Sequence, residues 1–423
     1  MTKKPRNHVD DLRGASRLAI DATQRVTEVV EAMHTTIAGG PAVLGKPLAG
    51  PVGLFNKLIY GSIRGVTRLV GTSIELALVP LGPLLGESAP GFEREAALAV
   101  LNGVLGDYLT ETKNPLAIEM QLRHDGEALD LDAEALRAAF PEGGRKLLVL
   151  IHGSCMNDRQ WLRQGHDHGA ALARDLGYTP VYVNYNSGLH VSANGRALDA
   201  LLEQLVTAWP WPLDELVLLG HSMGGLVARS ACHHGDTREP RNAQGWRSKL
   251  TRLICLGTPH HGAPLERGGN WIDVLLDVSR YSAPLARLGK LRSAGVTDLR
   301  FGNVLEEHWA GRDRFAPDGD TRLELKLPAG VACYALAGTT SAEGQSNFVG
   351  DGLVPVDSAL GRHDATHLTL AFPEAHRWVC YRTGHIDLLS SPEVYAKLRE
   401  WLSAPACLEP SSASGSRRAE TDR

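Results

Sequence analysis

The chain has 423 residues, 43% of them hydrophobic and 22% charged, with a net charge of −4. These are ordinary globular values, and without a basic field a DNA or RNA partner is not expected. At this length a single hydrophobic core has stopped growing, so one large domain with an appendage, or two domains, is expected.

The N-terminus, "MTKKPRNHVDDLRG", is basic but has no apolar stretch after it of the kind a secretory signal needs, which places the expectation in the cytoplasm. No uncharged apolar run reaches the roughly 18 residues of a membrane span. The nearest, "LALVPLGPLLG", is short and broken by two prolines. Between residues 11 and 37, Ala15, Ala19, Ala22, Val26, Val29, Met33 and Ile37 recur at spacings of three and four, one stripe of a helix. A second stripe runs from Leu54 to Leu76 through Leu58, Ile59, Ile63, Val66 and Val70, and a third helix follows in "GFEREAALAVLNGVLGDYL". Residues 1–110 are therefore expected to be an N-terminal helical region. Its stripes suit helix-on-helix packing by default, with peripheral membrane contact or self-association as the alternatives.

From residue 116 the period changes. "LAIEMQLR" and "EALDLD" flank "HDG", a hairpin pattern. Then apolar runs of four to six residues, "LLVLI", "PVYVNY", "LVLL", "LICL", "ACYALAG" and "WVCYRTG", are divided or followed by the helical patterns "HGAALARDL", "ALDALLEQLV", "GLVARSACH" and "PEVYAKLREWL". Continuous apolar strands divided by helices predict an α/β domain, a mostly parallel sheet covered on both faces, over 111–405. Within it, residues 263–330, which include "NWIDVLLDVSRYSAPLARLGKL", are expected to be a cap or lid insertion, and the polar tail 406–423 is expected to be disordered. The six cysteines, Cys155, Cys232, Cys255, Cys333, Cys380 and Cys407, form no CxxC pair and read as buried free thiols.

Gly220-His221-Ser222-Met223-Gly224 fits GxSxG. It is only a pentapeptide, but it follows an apolar strand and precedes a helical "GLVARS", which is the setting of a nucleophile elbow. A serine hydroxyl needs a base to take its proton and a carboxylate to orient that base. His221 is expected to pack beneath the turn, because neighbouring side chains of an extended segment point opposite ways. His385 in "TGHIDLL" is the candidate base and Asp351 in "GDGLVPVDSALG" the candidate acid, giving the chain order Ser, Asp, His. Asp357 lies six residues on and could serve instead, which would leave Asp351 as a plain turn residue before Gly352. The oxyanion donors are expected to be the backbone N–H groups of Ser154, after the strand ending "LLVLIHGS", and of Met223. The histidine pairs at 233–234 and 260–261 and the HxH at 166–168 lack further ligands at metal spacing and read as surface or turn histidines.

These stretches, together with "HGSCMND", "GHSMGGLVAR", "LGTPHHGAPLER" and "TGHIDLLSSPEVY", resemble serine hydrolases of the alpha/beta-hydrolase fold. More narrowly they resemble bacterial lipases and esterases related to the GPI inositol-deacylase-like family, over roughly residues 145–402. The resemblance implies a carboxylic ester or lipid as substrate, cleaved through an acyl-enzyme on Ser222, and no cofactor. Related lipases use an acid upstream of the catalytic aspartate to hold calcium, and "KLPAGVACYA" supplies none, so no metal is expected. The same triad could serve an acyltransferase or a thioesterase; an inactive membrane- or partner-binding scaffold is the alternative of another class.

Overall fold

The computed structural model describes residues 13–18, 20–21, 92–238, 245–263, 292–314, 319–345 and 350–405. The chain divides into two compact units, Met1–Gly91 with Tyr108–Ala117, and Phe92–Asp107 with Ile118–Arg423. Within the first, residues 13–18 are helical, the Asn114 side-chain amide donates to the Gly14 carbonyl (3.0 Å), and the Tyr108 hydroxyl donates to Asp21 (2.9 Å). The stripe beyond Asp21, the stripe over 54–76, the apolar stretch 270–291 and the tail 406–423 lie outside the described residues.

The second unit is built on an eight-stranded sheet. Its strands are β1 (Gln121–His124), β2 (Glu127–Ala128), β3 (Lys146–Ile151), β4 (Thr179–Asn184), β5 (Glu215–His221), β6 (Leu250–Leu256), β7 (Ala332–Thr339) and β8 (Arg377–Tyr381). They lie in the order β2-β1-β4-β3-β5-β6-β7-β8. Every pairing from β4 through β8 is parallel, while β1 runs antiparallel to β2 and to β4. The "HDG" turn closes the β1–β2 hairpin with Asp125 and Gly126 both in the left-handed region (φ +49° and +79°), the conformation that matches a two-residue loop to the twist of its strands.

The helices that cover the sheet are α1 (Phe92–Glu111), α2 (Ala133–Ala139), α3 (His168–Leu176), α4 (Val191–Ala208), α5 (Met223–Thr237) and α6 (Pro392–Ser403). Successive strand residues face opposite sides, and both sides are covered, which is why the strands read as unbroken apolar runs. Leu147, Val149 and Ile151 of β3 pack with Leu198 and Leu202 of α4 and Leu226 and Val227 of α5. Leu148 and Leu150 pack instead with Val100 and Val104 of α1, Leu172 of α3 and Leu398 of α6. Helix ends follow their sequence signals. Asp167 accepts the Ala170 N–H at the start of α3, and Ser391, followed by Pro392, accepts the Val394 N–H at the start of α6.

Candidate active site

The turn after β5 is set by close backbone contact. A Cβ on Gly220 would overlap the backbone of Gly225, and one on Gly224 would overlap the Ile151 carbonyl at the end of β3. The first turn of α5 thus lies against the ends of β5 and β3, with no room for a side chain at Gly220 or Gly224. Ser222 sits between them at φ 53°, ψ −125°, a backbone conformation that costs an L-residue about 1–3 kcal/mol and persists only where the surroundings impose it. Its N–H donates to the Leu256 carbonyl of β6 (2.8 Å), and its side chain is buried but for a small opening, the residue being 7% exposed.

Asp351 follows β7 and His385 follows β8, and the structure brings them together: His385 Nδ1 donates to Asp351 Oδ2 at 2.7 Å, with both side chains fully buried. The other carboxylate oxygen, Oδ1, accepts the N–H groups of Leu353 (3.0 Å) and Val354 (2.8 Å), and the His385 N–H donates to the Asp351 carbonyl (2.9 Å). With Nδ1 facing the carboxylate, Nε2 is buried and has no hydrogen-bond partner among the described residues, Ser222 Oγ included. Asp357 takes no part in this pairing. It is exposed on a short helix, Val356–Ala359, and faces Arg362 at 3.6 Å. Asp351 is at once the turn residue before Gly352 and the partner of the histidine.

Ser222 and the Asp351–His385 pair share a floor. Gly257, directly after the β6 residue that binds the Ser222 N–H, faces the pair so closely that a Cβ there would lie 3.1 Å from Asp351 Oδ2 and 3.3 Å from His385 Cε1. Gly338 of β7 approaches Asp351 Cβ in the same way (3.0 Å). His221 packs beneath the turn, donating from Nε2 to the His385 carbonyl (3.0 Å) with the two rings 4.7 Å apart. Burial holds its basicity well below that of a free imidazole.

The segment after β3 closes the other side. A Cβ on Gly153 would lie 3.0 Å from Ser222 Cβ, so the peptide leading into Ser154 runs against the serine. The N–H groups of Ser154 and Met223 have no acceptor among the described residues, as expected for the first residue of a helix in the case of Met223. His152 stacks on Tyr185 at 4.3 Å, and burial pushes its pKa down to about 4.

In two of the histidine motifs read as surface or turn residues, one histidine lies in the interior, while His166 and His261 are partly exposed. His168 is fully buried, donates from Nε2 to the Leu388 carbonyl three residues after His385 (2.9 Å), and receives His166 at Nδ1 (2.8 Å). His260 is also fully buried, with its Nδ1 3.3 Å from Arg229 of α5. The five described cysteines are free and buried, as expected, and burial pushes the Cys155 thiol up to about 11 and those of Cys232 and Cys255 up to about 12. Gly257, Gly338 and Ser187 were not singled out in the sequence. The available signal was a glycine at or just past the carboxyl end of one strand after another, Gly153, Gly220, Gly257 and Gly338.

This strand order, with an elbow serine after β5, an acid after β7 and a histidine after β8, is that of the alpha/beta-hydrolase fold. Residues 143–317 match the family model of the PGAP1-like alpha/beta domain. The match takes in Ser222 and ends before β7, so Asp351 and His385 lie beyond it. A comparison with curated proteins found no match. Among solved structures the chain is similar to the mature form of a Bacillus licheniformis lipase (17% identity, 67% of this chain and 97% of that one, TM-score 0.39). It is also similar to a Pyrococcus furiosus esterase (13%, 62% and 82%, TM-score 0.36) and to a lipase-esterase related protein from Clostridium acetobutylicum (11%, 68% and 99%, TM-score 0.35). No helix of the described residues is long and apolar enough to cross a membrane.

Proposed function

We propose that the protein is a serine hydrolase that cleaves carboxylic esters, lipid esters among them, through an acyl-enzyme on Ser222. The observation that carries this reading is the buried 2.7 Å pair of Asp351 and His385, which faces Gly257 directly after the Leu256 carbonyl that holds the strained serine turn, and whose Nε2 has no hydrogen-bond partner among the described residues. His385 takes the Ser222 proton as Oγ attacks the ester carbonyl, and Asp351 holds the imidazole in the tautomer that can accept it. The N–H groups of Ser154 and Met223 receive the oxyanion. The protonated His385 then gives its proton to the leaving alcohol, and a water activated by the same imidazole releases the acid. A tightly aligned Ser222–His385 hydrogen bond is not required of the resting enzyme, since such contacts often tighten only once substrate is bound.

The test is hydrolysis of nitrophenyl esters of short and long acyl chain by the full-length protein and by Ser222→Ala, with fluorophosphonate labelling beside it. Turnover that vanishes in the variant, with label on Ser222, supports the reading. Equal rates for both proteins, or label elsewhere, would overturn it in favour of a scaffold without this chemistry. Thioester substrates and alcohol acceptors in the same assay distinguish hydrolysis of oxygen esters from thioesterase and acyl-transfer activity.

A further inference from the structure

We infer that Ser187 is a positioning residue of the ester-cleaving site: it holds the Gly153–Cys155 loop so that the Ser154 N–H faces the carbonyl attacked by Ser222. This rests on the function proposed above. The first observation is strain. Cys155 is buried with φ +60°, a left-handed backbone that a side-chain-bearing residue rarely adopts unless its neighbours impose it. The second is what imposes it. The Cys155 N–H donates to Ser187 Oγ at 2.9 Å, and both residues are almost completely buried.

The loop is therefore held at both ends of Ser154. On one side Gly153 lies against Ser222 Cβ; on the other the Ser187 hydroxyl fixes the Cys155 amide and with it the turn that follows Ser154. Ser187 is itself immobilised. It sits after β4 in a segment where the Gly188 N–H donates to Asn186 Oδ1 (3.0 Å), the Asn186 amide donates to the Gly106 carbonyl of α1 (2.9 Å), and the Asn194 amide of α4 donates to the Asn186 carbonyl (3.0 Å). Helix α1 closes the loop from behind, since a Cβ on Gly103 would lie 2.9 Å from Cys155 Cα and overlap its sulfur. Nothing in this arrangement touches a reacting atom; it fixes the direction of one N–H.

Deleting an oxyanion donor costs about 10²–10³ in kcat, so misdirecting one is expected to cost about tenfold or more while leaving ground-state binding alone. The experiment compares full-length wild type, Ser187→Ala, Ser187→Cys and Ser192→Ala on a nitrophenyl ester, with a trifluoromethyl ketone as transition-state mimic. Ser192 is a suitable control: it is also buried and accepts a hydrogen bond, from Trp309 Nε1 at 3.0 Å, but that bond lies outside the loop. The expected result is a kcat lower by about tenfold or more in Ser187→Ala with KM within twofold, weaker binding of the ketone by the same factor, and an intermediate loss in Ser187→Cys, whose thiol is a poorer acceptor. Should Ser187→Ala fail to fold, Ser187→Cys decides by the same split. A Ser187 variant as active as Ser192→Ala, or one impaired in KM alone, would overturn the inference and leave the hydrolase reading standing. A wild type that hydrolyses no ester and takes no label on Ser222 would overturn both.

Discussion

Replacing Asp351 with asparagine tests the site most sharply, because the structure dictates how the new side chain must sit. Two backbone N–H groups, from Leu353 and Val354, point at one carboxylate oxygen, and His385 Nδ1 lies 2.7 Å from the other. In Asp351→Asn the amide oxygen has to stay with the two N–H donors, since turning the NH2 toward them would set donors against donors. The NH2 then faces His385 Nδ1 and can be satisfied only if that nitrogen gives up its proton. The imidazole is left with its proton on Nε2, where it cannot accept one from Ser222. The expected loss in kcat is about 10⁴-fold, or about 5.5 kcal/mol of transition-state stabilisation. Stability should change far less, by about 1–2 kcal/mol, because shape and most hydrogen bonds are kept. The assay is kcat on a nitrophenyl ester with a thermal melt beside it, and Asp357→Asn as control, which should stay within twofold because that side chain is exposed. A folded Asp351→Asn retaining a tenth of wild-type kcat would refute the reasoning.

Gly224→Ala places a methyl group onto the Ile151 carbonyl, backbone against backbone, and is expected to destabilise by about 3 kcal/mol, whereas Gly319→Ala, with nothing among the described residues near its Cβ, should stay within about 0.5 kcal/mol. Denaturant midpoints for the two variants check this, and equal midpoints would contradict the packing at the elbow. His168→Ala leaves the buried Leu388 carbonyl without its donor and should cost about 1–3 kcal/mol in the same measurement. Burial holds His152 and His168 down to about 4 from an ordinary 6.5. Their folded pKa lies below the unfolded one, so the stability they contribute is complete above pH 6.5 and is lost as pH falls from there toward 4. At pH 5 each should have cost about 2 kcal/mol, which melts between pH 8 and 5 would show as a falling Tm; a flat Tm would refute it.

The sheet was legible in the sequence because its strands are buried on both faces. Leu147 through Ile151 have no solvent side to interrupt the apolar run, so strand and run coincide. The sequence pointed to Asp351 as the candidate acid but could not exclude Asp357, six residues on in the same segment, since composition says nothing of direction. What separates them is that the Asp351 carboxylate closes its own turn through Leu353 and Val354, whereas Asp357 sits on a short helix turned toward solvent. The buried His260 was hidden for a related reason. A histidine doublet in a turn looks exposed until the helix across from it is known to carry Arg229 into the interior, and "GLVARS" announces a helix without announcing which face its arginine takes. Ser187 was hidden most completely, because a hydroxyl that accepts one distant amide leaves no periodicity or spacing behind it.

A buried carboxylate is costly: taking its charge out of water costs several kcal/mol unless hydrogen bonds satisfy its lone pairs. Asp351 meets that condition by doing two jobs. Its Oδ1 receives two backbone donors that would need an acceptor in any turn of this shape, so only Oδ2 remains for His385. The proposed base can therefore sit fully buried, with no second polar side chain among the described residues bonded to the Asp351 carboxylate. The lack of bulk around it follows from the same economy of space: Gly257 and Gly338 bring the β6 and β7 backbones up to the pair, where any larger residue would force it away from the serine turn. Among the described residues the Nε2 of His385 is the one side-chain polar atom of the pair without a hydrogen-bond partner, a gap that burial makes costly and that the proposed transfer of the Ser222 proton would fill.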